Sequence, residues 1–358
     1  MHITRVQIKN FRCFGALDIS FVSPIILIEG VNGAGKTSLL EALHYVCYLR
    51  SFRTHTPQEL VQFGKDNFFI KLTLHPSDSL DPYDLQVGFS NKKRLVKINN
   101  KVITSYKELL PHYRIVTLAE DDLALVKEGP EVRRLFIDQA IAFDVVDFAH
   151  TIKKCRDIVE QRMVLLKKNG SYDSYQLWTE QLWHISKVIH EQRTAALAQL
   201  EHEVSIVIKK YFDDSFTIQL RYVPKKSLLD SFEDFIASNP YLHQNEQRMQ
   251  RSLFGAHLDD FAINFKDTYS KNFASRGQQK LIVLLIKIAQ IRLLSCQNKP
   301  VILLLDDFMT DFDTNKAQLL INLLADLGIQ LIFTIPSPDS FLQKELSKRQ
   351  ASQLKLTA

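Results

Sequence analysis

PIILIEGVNGAGKTSLLEAL, the stretch from Pro24 to Leu43, is the strongest indication of the fold of this chain. A short run of apolar, strand-forming residues, Ile25 to Ile28, leads into the turn Gly30–Thr37, and leucines at helical spacing follow the turn. The turn has the pattern G-x-x-x-x-G-K-[ST], which between a strand and a helix is typical of a phosphate-binding loop. The stretch therefore predicts a site for a nucleoside triphosphate.

Each residue type in this turn has a physical reason to be there. Glycines permit positive φ and let the backbone approach closely, so that successive amides can surround a phosphate at a helix N-terminus. Lys36 can reach the β- and γ-phosphates, and the Thr37 hydroxyl can ligate Mg²⁺. The predicted nucleotide-binding residues of the loop are Gly30, Asn32, Gly33, Ala34, Gly35, Lys36, Thr37 and Ser38.

A second part of the site is predicted at Pro300–Asp307, an apolar run closed by two carboxylates. Such a run is typical of a buried parallel strand, and α/β sheets bind ligands at the ends of these strands. Asp306 is expected to hold Mg²⁺ with Thr37, directly or through water, as a Walker-B aspartate does. Asp307 is expected to orient or deprotonate the attacking water. We therefore predict Lys36, Asp306 and Asp307 as the catalytic residues.

Composition narrows the class of protein. The chain has 358 residues, 46% of them apolar and 24% charged, which is typical of a soluble globular protein of one or two domains. No stretch approaches the roughly 18 apolar residues of a membrane span, and the start reads as a strand rather than a signal peptide. Four separated cysteines favour free thiols in a reducing compartment. We therefore expect a cytoplasmic protein without a membrane partner, and the net charge of +5 permits an anionic partner without identifying one.

The first part of the chain is rich in predicted strands, which favour an antiparallel layer beside the nucleotide-binding sheet. The predicted strands cover residues 2–9, 15–21, 24–29, 68–74, 84–89, 94–98 and 114–119.

Beyond about residue 120 the pattern becomes helical. Apolar residues recur at helical spacing on both sides of Lys168–Ser171, which predicts two long helices joined as a hairpin. The heptads are too few for a coiled-coil arm, so a compact lobe is expected. We predict a split head of residues 1–122 and 248–358, a mostly helical lobe of residues 123–247, and a frayed tail from Ser347.

The segment Ser275-Arg-Gly-Gln-Gln279 can be interpreted in two ways. Alone it is a helix N-cap. Along the chain, the phosphate loop comes first, then the helical insertion, then this segment and finally Asp306-Asp307. This order resembles the layout of ABC-type ATPases of the SMC/Rad50 class. That resemblance implies that Ser275, Gly277 and Gln278 of one subunit bind the nucleotide held by the phosphate loop of another, completing its site.

Several motifs stand in one order along the chain: Ile8–Arg12, Gly33–Glu41, Ser51–Arg53, Glu128–Asp138, Gly255–Asp260, Ala274–Gln279 and Leu303–Asp307. On these motifs the chain resembles the RecF family of bacterial recombination mediators over essentially its whole length.

The resemblance implies an α/β fold: an ABC-type P-loop ATPase head, with a mixed sheet and an antiparallel layer around the P-loop helix, and an inserted all-helical lobe. It implies an ATP-dependent homodimer that binds double-stranded and gapped DNA and uses slow, DNA-stimulated ATP hydrolysis as a switch. It also implies work with RecR and RecO to help load RecA in DNA repair and replication. Arg12 and Arg53 are implied to lie near the nucleotide as phosphate or DNA contacts, and the Q-loop glutamine stays open between Gln58 and Gln62.

Rival functions stay open at this point. A nucleotide kinase or other metabolic P-loop enzyme needs an arginine-rich lid, whereas the helices over 148–207 are typical of packing. An ABC transporter subunit needs a clear LSGGQ signature and a glutamate in place of Asp307. A structural SMC-like or Rad50-like protein needs a far longer coiled coil, although an ATPase of that class with another role at DNA structures is a further alternative.

Overall fold

The computed structural model describes residues 1–76, 81–104, 114–142, 145, 147–168, 170–213, 215–266, 268–296, 300–336 and 340–357. The chain divides into two compact units, one formed by Met1–Asp122 with Ile291–Ala358 and the other by Leu123–Gln290. Residues 248–290, which the sequence assigns to the head, belong by their contacts to the second unit.

The helices and strands of the described residues follow one another along the chain. They are β1 (His2–Phe11), β2 (Phe14–Ser20), β3 (Ile25–Glu29), α1 (Lys36–Tyr48), β4 (Asn67–His75), β5 (Tyr83–Ser90), β6 (Lys93–Ile98), β7 (Lys101–Ile103), β8 (Arg114–Leu118), α2 (Ala124–Lys127), α3 (Pro130–Ala142), α4 (Phe148–Lys167), α5 (Tyr172–Tyr211), β9 (Ile218–Val223), α6 (Phe232–Ala237), α7 (Leu242–Met249), β10 (Asp260–Phe265), β11 (Thr268–Tyr269), α8 (Ser270–Phe273), α9 (Arg276–Cys296), β12 (Val301–Leu305), α10 (Thr314–Ala325), β13 (Gln330–Ile335), α11 (Ser340–Ser347) and β14 (Ser352–Lys355).

A parallel sheet in the first unit carries the phosphate loop. Its strand order is β14-β3-β13-β12-β8, and the pairings of its described strands are all parallel. Strands β3, β12 and β13 are buried along their whole length, as expected for a sheet covered on both faces. The prediction of strands at the phosphate loop and before Asp306 is confirmed.

An antiparallel sheet of six strands forms the predicted second layer, in the order β2-β1-β4-β5-β6-β7. Helix α1 contacts β8 of the parallel sheet and β1, β4 and β5 of the antiparallel one, so the P-loop helix lies between the two sheets. The side chain of Gln330, fully buried, joins the sheets, because its amide exchanges hydrogen bonds of 2.7 and 2.9 Å with the backbone of Ile3. These bonds lie at a register shift between Ile3 and Arg5, where the strand pairing is interrupted.

The second unit is built on the predicted helical hairpin, α4 and α5, against which α3 packs. Helix α5 has 40 residues, a length of about 60 Å at 1.5 Å per residue. Two ion pairs connect its parts: Arg133, which is buried, pairs with the half-buried Asp260 at 2.6 Å, and Arg162 and Glu246, both fully buried, pair at 2.6 Å. The first pair joins two of the motifs that carry the RecF resemblance, Glu128–Asp138 and Gly255–Asp260, and gives both a structural role.

Three details of the fold differ from the prediction. The sheet expected to be mixed is parallel in all its described pairings. The lobe expected to be mostly helical contributes β9, where a short strand is expected over Phe216–Tyr222, to an antiparallel sheet in the order β11-β10-β9, because β9 pairs with a strand that lies beyond the boundary expected at residue 248. The tail expected to fray forms β14, which pairs with β3. Within the described part of the chain, no helix has the length and apolar character needed to cross a membrane.

Candidate nucleotide-binding site

The phosphate loop has the backbone conformation that its glycines predict at two positions. Gly33 and Gly35 have φ of 90° and 92°, which a side chain would strain. At Gly35 a Cβ would also lie 2.6 Å from the Sγ of Cys13 and 2.6 Å from the Cζ of Phe14. The β1–β2 turn therefore presses against the loop just before α1 begins, and only glycine fits there.

The N-terminus of α1 is open to an anion. Among the described residues, no side chain caps the helix after Gly35, so the amides of its first turn keep their unpaired hydrogens and positive partial charge. Asn32 and Gly33 are exposed, Ser38 is half-buried, and Ala34 is buried. The predicted loop residues thus surround one helix terminus.

Lys36 is bound to the loop itself. Its side chain is buried, and Nζ donates to the carbonyl oxygens of Gly30 at 2.9 Å and Val31 at 3.4 Å. The ammonium therefore lies inside the curve of the loop, where an anion held by the loop amides would meet it.

Thr37 and Asp306 meet although they are 269 residues apart in sequence. The Thr37 hydroxyl donates to Oδ1 of Asp306 at 3.1 Å. Burial raises the pKa of the Asp306 carboxyl, and the neighbouring Asp307 raises it further. A hydroxyl and a desolvated carboxylate are hard oxygen donors, so this pair fits a Mg²⁺ ion, which would stabilise the ionised form of Asp306.

Thr334, at the end of β13, contacts both carboxylates of the second motif. Its Oγ1 lies 2.9 Å from Oδ1 of Asp306 and 3.1 Å from Oδ1 of Asp307, and it accepts the backbone N–H of Asp307 at 2.8 Å. Asp307 has φ of 48°, a left-handed conformation that this contact helps to hold. Thr334 is absent from the residues predicted from the sequence. The available signal was a hydroxyl near the end of an apolar strand, which in a parallel sheet lies beside the end of its neighbour.

Arg12 and Arg53 lie in one cluster around Glu41 of α1. Nε and Nη2 of Arg12 donate to the two Glu41 oxygens at 2.8 and 2.7 Å, and the Glu41 side chain is 0% exposed. Arg53 lies 3.8 Å from the same carboxylate, and Ser51 donates to it as well. In the described contacts both arginines thus pair with the P-loop helix, and their contact with nucleotide or DNA stays a prediction.

Ser275 and Gln278 form a capping box at the start of α9. The backbone N–H of Ser275 donates to Oε1 of Gln278 at 2.8 Å, and that of Gln278 to Oγ of Ser275 at 3.4 Å. Gly277 follows Arg276 in the first turn, and a Cβ on it would meet no described atom within 4 Å beyond its chain neighbours and the nearby backbone of its own helix. Packing within the described chain therefore does not require glycine at this position, although glycine weakens a helix.

Comparison with known proteins places this site in a family. The family model described as an AAA domain matches residues 5–251. The chain belongs to the AAA domain family.

Individual relatives agree with the resemblance found in the motifs. A DNA replication and repair protein RecF of Natranaerobius thermophilus is 29% identical over 360 residues, covering 95% of this chain and 92% of the relative. The protein of the same name in Clostridium perfringens is 29% identical over 322 residues, 88% of each chain. These matches confirm the resemblance to the RecF family.

Solved structures show the same fold. The chain superposes with a TM-score of 0.79 and 24% identity, over 93% of both chains, on the structure of the recombination mediator protein RecF-ATP in the RecFOR pathway. An Smc head bound to the C-winged helix domain of ScpA matches with a TM-score of 0.57 and 15% identity, over 96% of this chain and 92% of that one. The predicted ABC-type P-loop ATPase fold is confirmed.

Proposed function

We propose that the chain is an ATP-dependent DNA-binding protein of recombinational repair and replication, which dimerises when it holds ATP. The contact between Thr37 and Asp306 carries the nucleotide-binding part of this proposal, because it brings the phosphate loop and the carboxylates after β12 together within one chain. The RecF relatives and the RecF-ATP structure support ATP as the nucleotide.

The proposed roles in ATP binding follow from the contacts of the site. The loop amides and Lys36 hold the β- and γ-phosphates, and Thr37 and Asp306 hold Mg²⁺. When bound, Mg²⁺ neutralises charge on the phosphate oxygens. Asp307 orients or deprotonates the attacking water, and Thr334 holds the backbone of Asp307 by accepting its N–H. Because an aspartate is one methylene shorter than the glutamate common in ABC ATPases, it reaches water less well, and slow hydrolysis is expected.

Dimerisation completes the site in this proposal. Ser275 of the partner subunit and Gly277 of the partner subunit cap the γ-phosphate from the start of α9. The unfilled space at Gly277 supports this role, because a backbone without a side chain permits a close approach of phosphate. Hydrolysis removes the phosphate that joins the two copies, so the dimer relaxes and ATP serves as a switch.

Duplex and gapped DNA are the proposed partners, together with RecR and RecO, and loading of RecA on gapped DNA is the proposed outcome. The relatives named DNA replication and repair protein RecF support a DNA-related partner, and the net charge of +5 permits an anionic one. Binding is expected to depend on the phosphate backbone and therefore to fall steeply with salt and vary little with sequence.

Gel filtration with light scattering, in ATP, ADP and no nucleotide, tests the shared site. We expect dimers only with ATP. Lys36→Ala should lose ATP binding and dimerisation together, whereas Ser275→Arg should keep ATP binding by the monomer and lose dimerisation and turnover. Normal ATP-dependent dimerisation of Ser275→Arg would show that the shared site is wrong.

Fluorescence anisotropy with labelled duplex, gapped and single-stranded DNA tests the partner. ATP-dependent binding with a steep salt slope supports the proposal. Absence of DNA binding in every nucleotide state, combined with rapid phosphoryl transfer to a small molecule, would favour a metabolic P-loop enzyme instead.

A further inference from the structure

The end of the chain is attached to the strand that leads into the phosphate loop. Strand β14 lies at the edge of the parallel sheet and pairs in parallel with β3, with Ser352 opposite Ile26 and Lys355 opposite Glu29. One residue further on, the backbone N–H of Leu356 donates to the carbonyl oxygen of Glu29 at 2.8 Å. This bond lies directly before Gly30.

Gly30 is required by this contact. Unlike Gly33 and Gly35, Gly30 does not have a positive φ. A Cβ on Gly30 would lie 2.9 Å from the carbonyl oxygen of Leu356 and 3.5 Å from its Cβ. The same Cβ would lie 3.0 Å from the Cβ of Ala34 in the loop itself. The first glycine of the motif is therefore needed in this chain for two close approaches, one by the C-terminal segment and one by Ala34.

The segment before this strand also holds Glu29 by its side chain. Gln343 of α11 donates from Nε2 to Oε1 of Glu29 at 2.6 Å, and Glu29 is buried. Leu356 is 8% exposed and belongs to the hydrophobic core that includes Ile26, Ile28 and Ala34. The last residue of β3 is thus fixed from two sides by residues far along the chain.

A short path connects this attachment to the phosphate-binding lysine. Leu356 holds the peptide between Glu29 and Gly30, and the carbonyl oxygen of Gly30 accepts a hydrogen bond from Nζ of Lys36 at 2.9 Å. We propose that residues 352–356 position the phosphate loop for ATP, with Leu356 as the positioning residue. This inference rests on the proposed ATP binding.

Coupling of this kind acts in both directions. If pairing of residues 352–356 with β3 strengthens ATP binding by the loop, then ATP binding must stabilise that pairing by the same free energy. A strand with a purely structural role in the sheet would show no such response to nucleotide.

Variants of the full chain test the first direction by titration with a fluorescent ATP analogue. A chain stopped after Ala351 should bind ATP about tenfold or more weakly, within the range of about five- to 150-fold that is typical of coupling between two sites. Leu356→Ala should weaken binding about threefold, and Leu356→Met, which keeps the volume, should bind within about twofold of the wild type. Gln353→Ala, on the exposed side of the same strand, is the matched control and should bind like the wild type.

Two results would overturn the inference. One is equal ATP affinity of the wild-type and truncated chains, when circular dichroism shows that the truncated chain is folded. The other comes from hydrogen exchange on the wild type, which decides the question even if the truncated chain does not fold. ATP should slow the amides of 350–357 together with those of 30–38, and slowing of the loop alone contradicts the coupling. Failure of the wild type to bind ATP would instead contradict the proposed function.

Discussion

The hydroxyl of Thr334 lies 2.9 Å from Oδ1 of Asp306, at the ends of two neighbouring parallel strands. The same oxygen accepts the backbone N–H of Asp307. One threonine therefore supports both the expected Mg²⁺ ligand and the residue expected to position water.

Replacing this hydroxyl should separate binding from hydrolysis. Thr334→Val keeps the shape of the side chain but removes the acceptor of the Asp307 N–H, so the free energy of unfolding should fall by about 1–2 kcal/mol. ATP hydrolysis should fall about tenfold, with a smaller change in ATP affinity. Steady-state hydrolysis and ATP titration measure the two effects. Thr334→Ser, which keeps the hydroxyl, is the control, and equal hydrolysis rates for the two variants would argue against this role.

Glycine at position 277 is expected to lower the stability of the nucleotide-free chain and to favour the ATP-dependent dimer. Gly277→Ala should raise the free energy of unfolding of the nucleotide-free chain by about 0.5 kcal/mol, because alanine favours a helix and the position is open. The same methyl group should weaken the ATP-dependent dimer. Thermal unfolding and light scattering test both. Gly88→Ala, at another open glycine, should leave dimerisation unchanged, and a normal dimer of Gly277→Ala would remove the argument for close approach.

The Arg12–Glu41 pair should matter for stability far more than a similar pair on the surface. Arg12→Met leaves the carboxylate of Glu41 buried with less compensation, so unfolding should cost about 3 kcal/mol less. Arg5→Met breaks the exposed pair with Asp18 and should cause little measurable loss. Urea unfolding of the two variants gives the comparison. Similar losses for both would mean that the cluster at Glu41 adds nothing beyond ordinary surface charge.

The second unit should lose stability in mild acid because of His257. Burial lowers the pKa of His257 to about 4, although Asp259 nearby acts in the opposite direction. His257 therefore binds a proton near pH 6.5 in the unfolded chain but only near pH 4 in the folded chain. Stability is full above pH 6.5 and falls as the pH drops through this window, by up to about 3 kcal/mol.

Urea unfolding followed by helix circular dichroism between about pH 4.5 and 7.5 measures this slope. His257→Gln should flatten it, whereas His184→Gln, which removes an exposed histidine of α5, should leave it unchanged. An unchanged slope in His257→Gln would assign the acid sensitivity to another group.

Much of the site was predictable because its parts are local. The phosphate loop needs only a strand, a glycine-rich turn and a helix in succession, so Lys36 and Thr37 could be named from neighbouring residues. The apolar run before Asp306 and the capping pattern of Ser275 and Gln278 are local in the same way. The order of these segments was enough to indicate the family.

The parts that were missed depend on long-range pairing. A polar tail has no local pattern that predicts its place beside β3, because a parallel edge strand gains its stability from the neighbour it meets. Thr334 approaches Asp306 only because β13 and β12 are adjacent in the sheet. The charge of Arg12 is directed to Glu41 by the packing of α1 on the antiparallel sheet.

Short-range signals in the sequence were sufficient to predict the phosphate loop, the strand before Asp306 and the helical hairpin, because backbone conformation, helix periodicity and loop chemistry are encoded over short spans. The contacts of the residues that the sequence singled out became known only from the folded chain. There Gly30 meets Leu356, Arg12 meets Glu41, and Asp306 meets both Thr37 and Thr334. Those contacts join residues up to 326 positions apart, counted from Gly30 to Leu356. Such residues are brought together by strand order and packing, which no local pattern encodes.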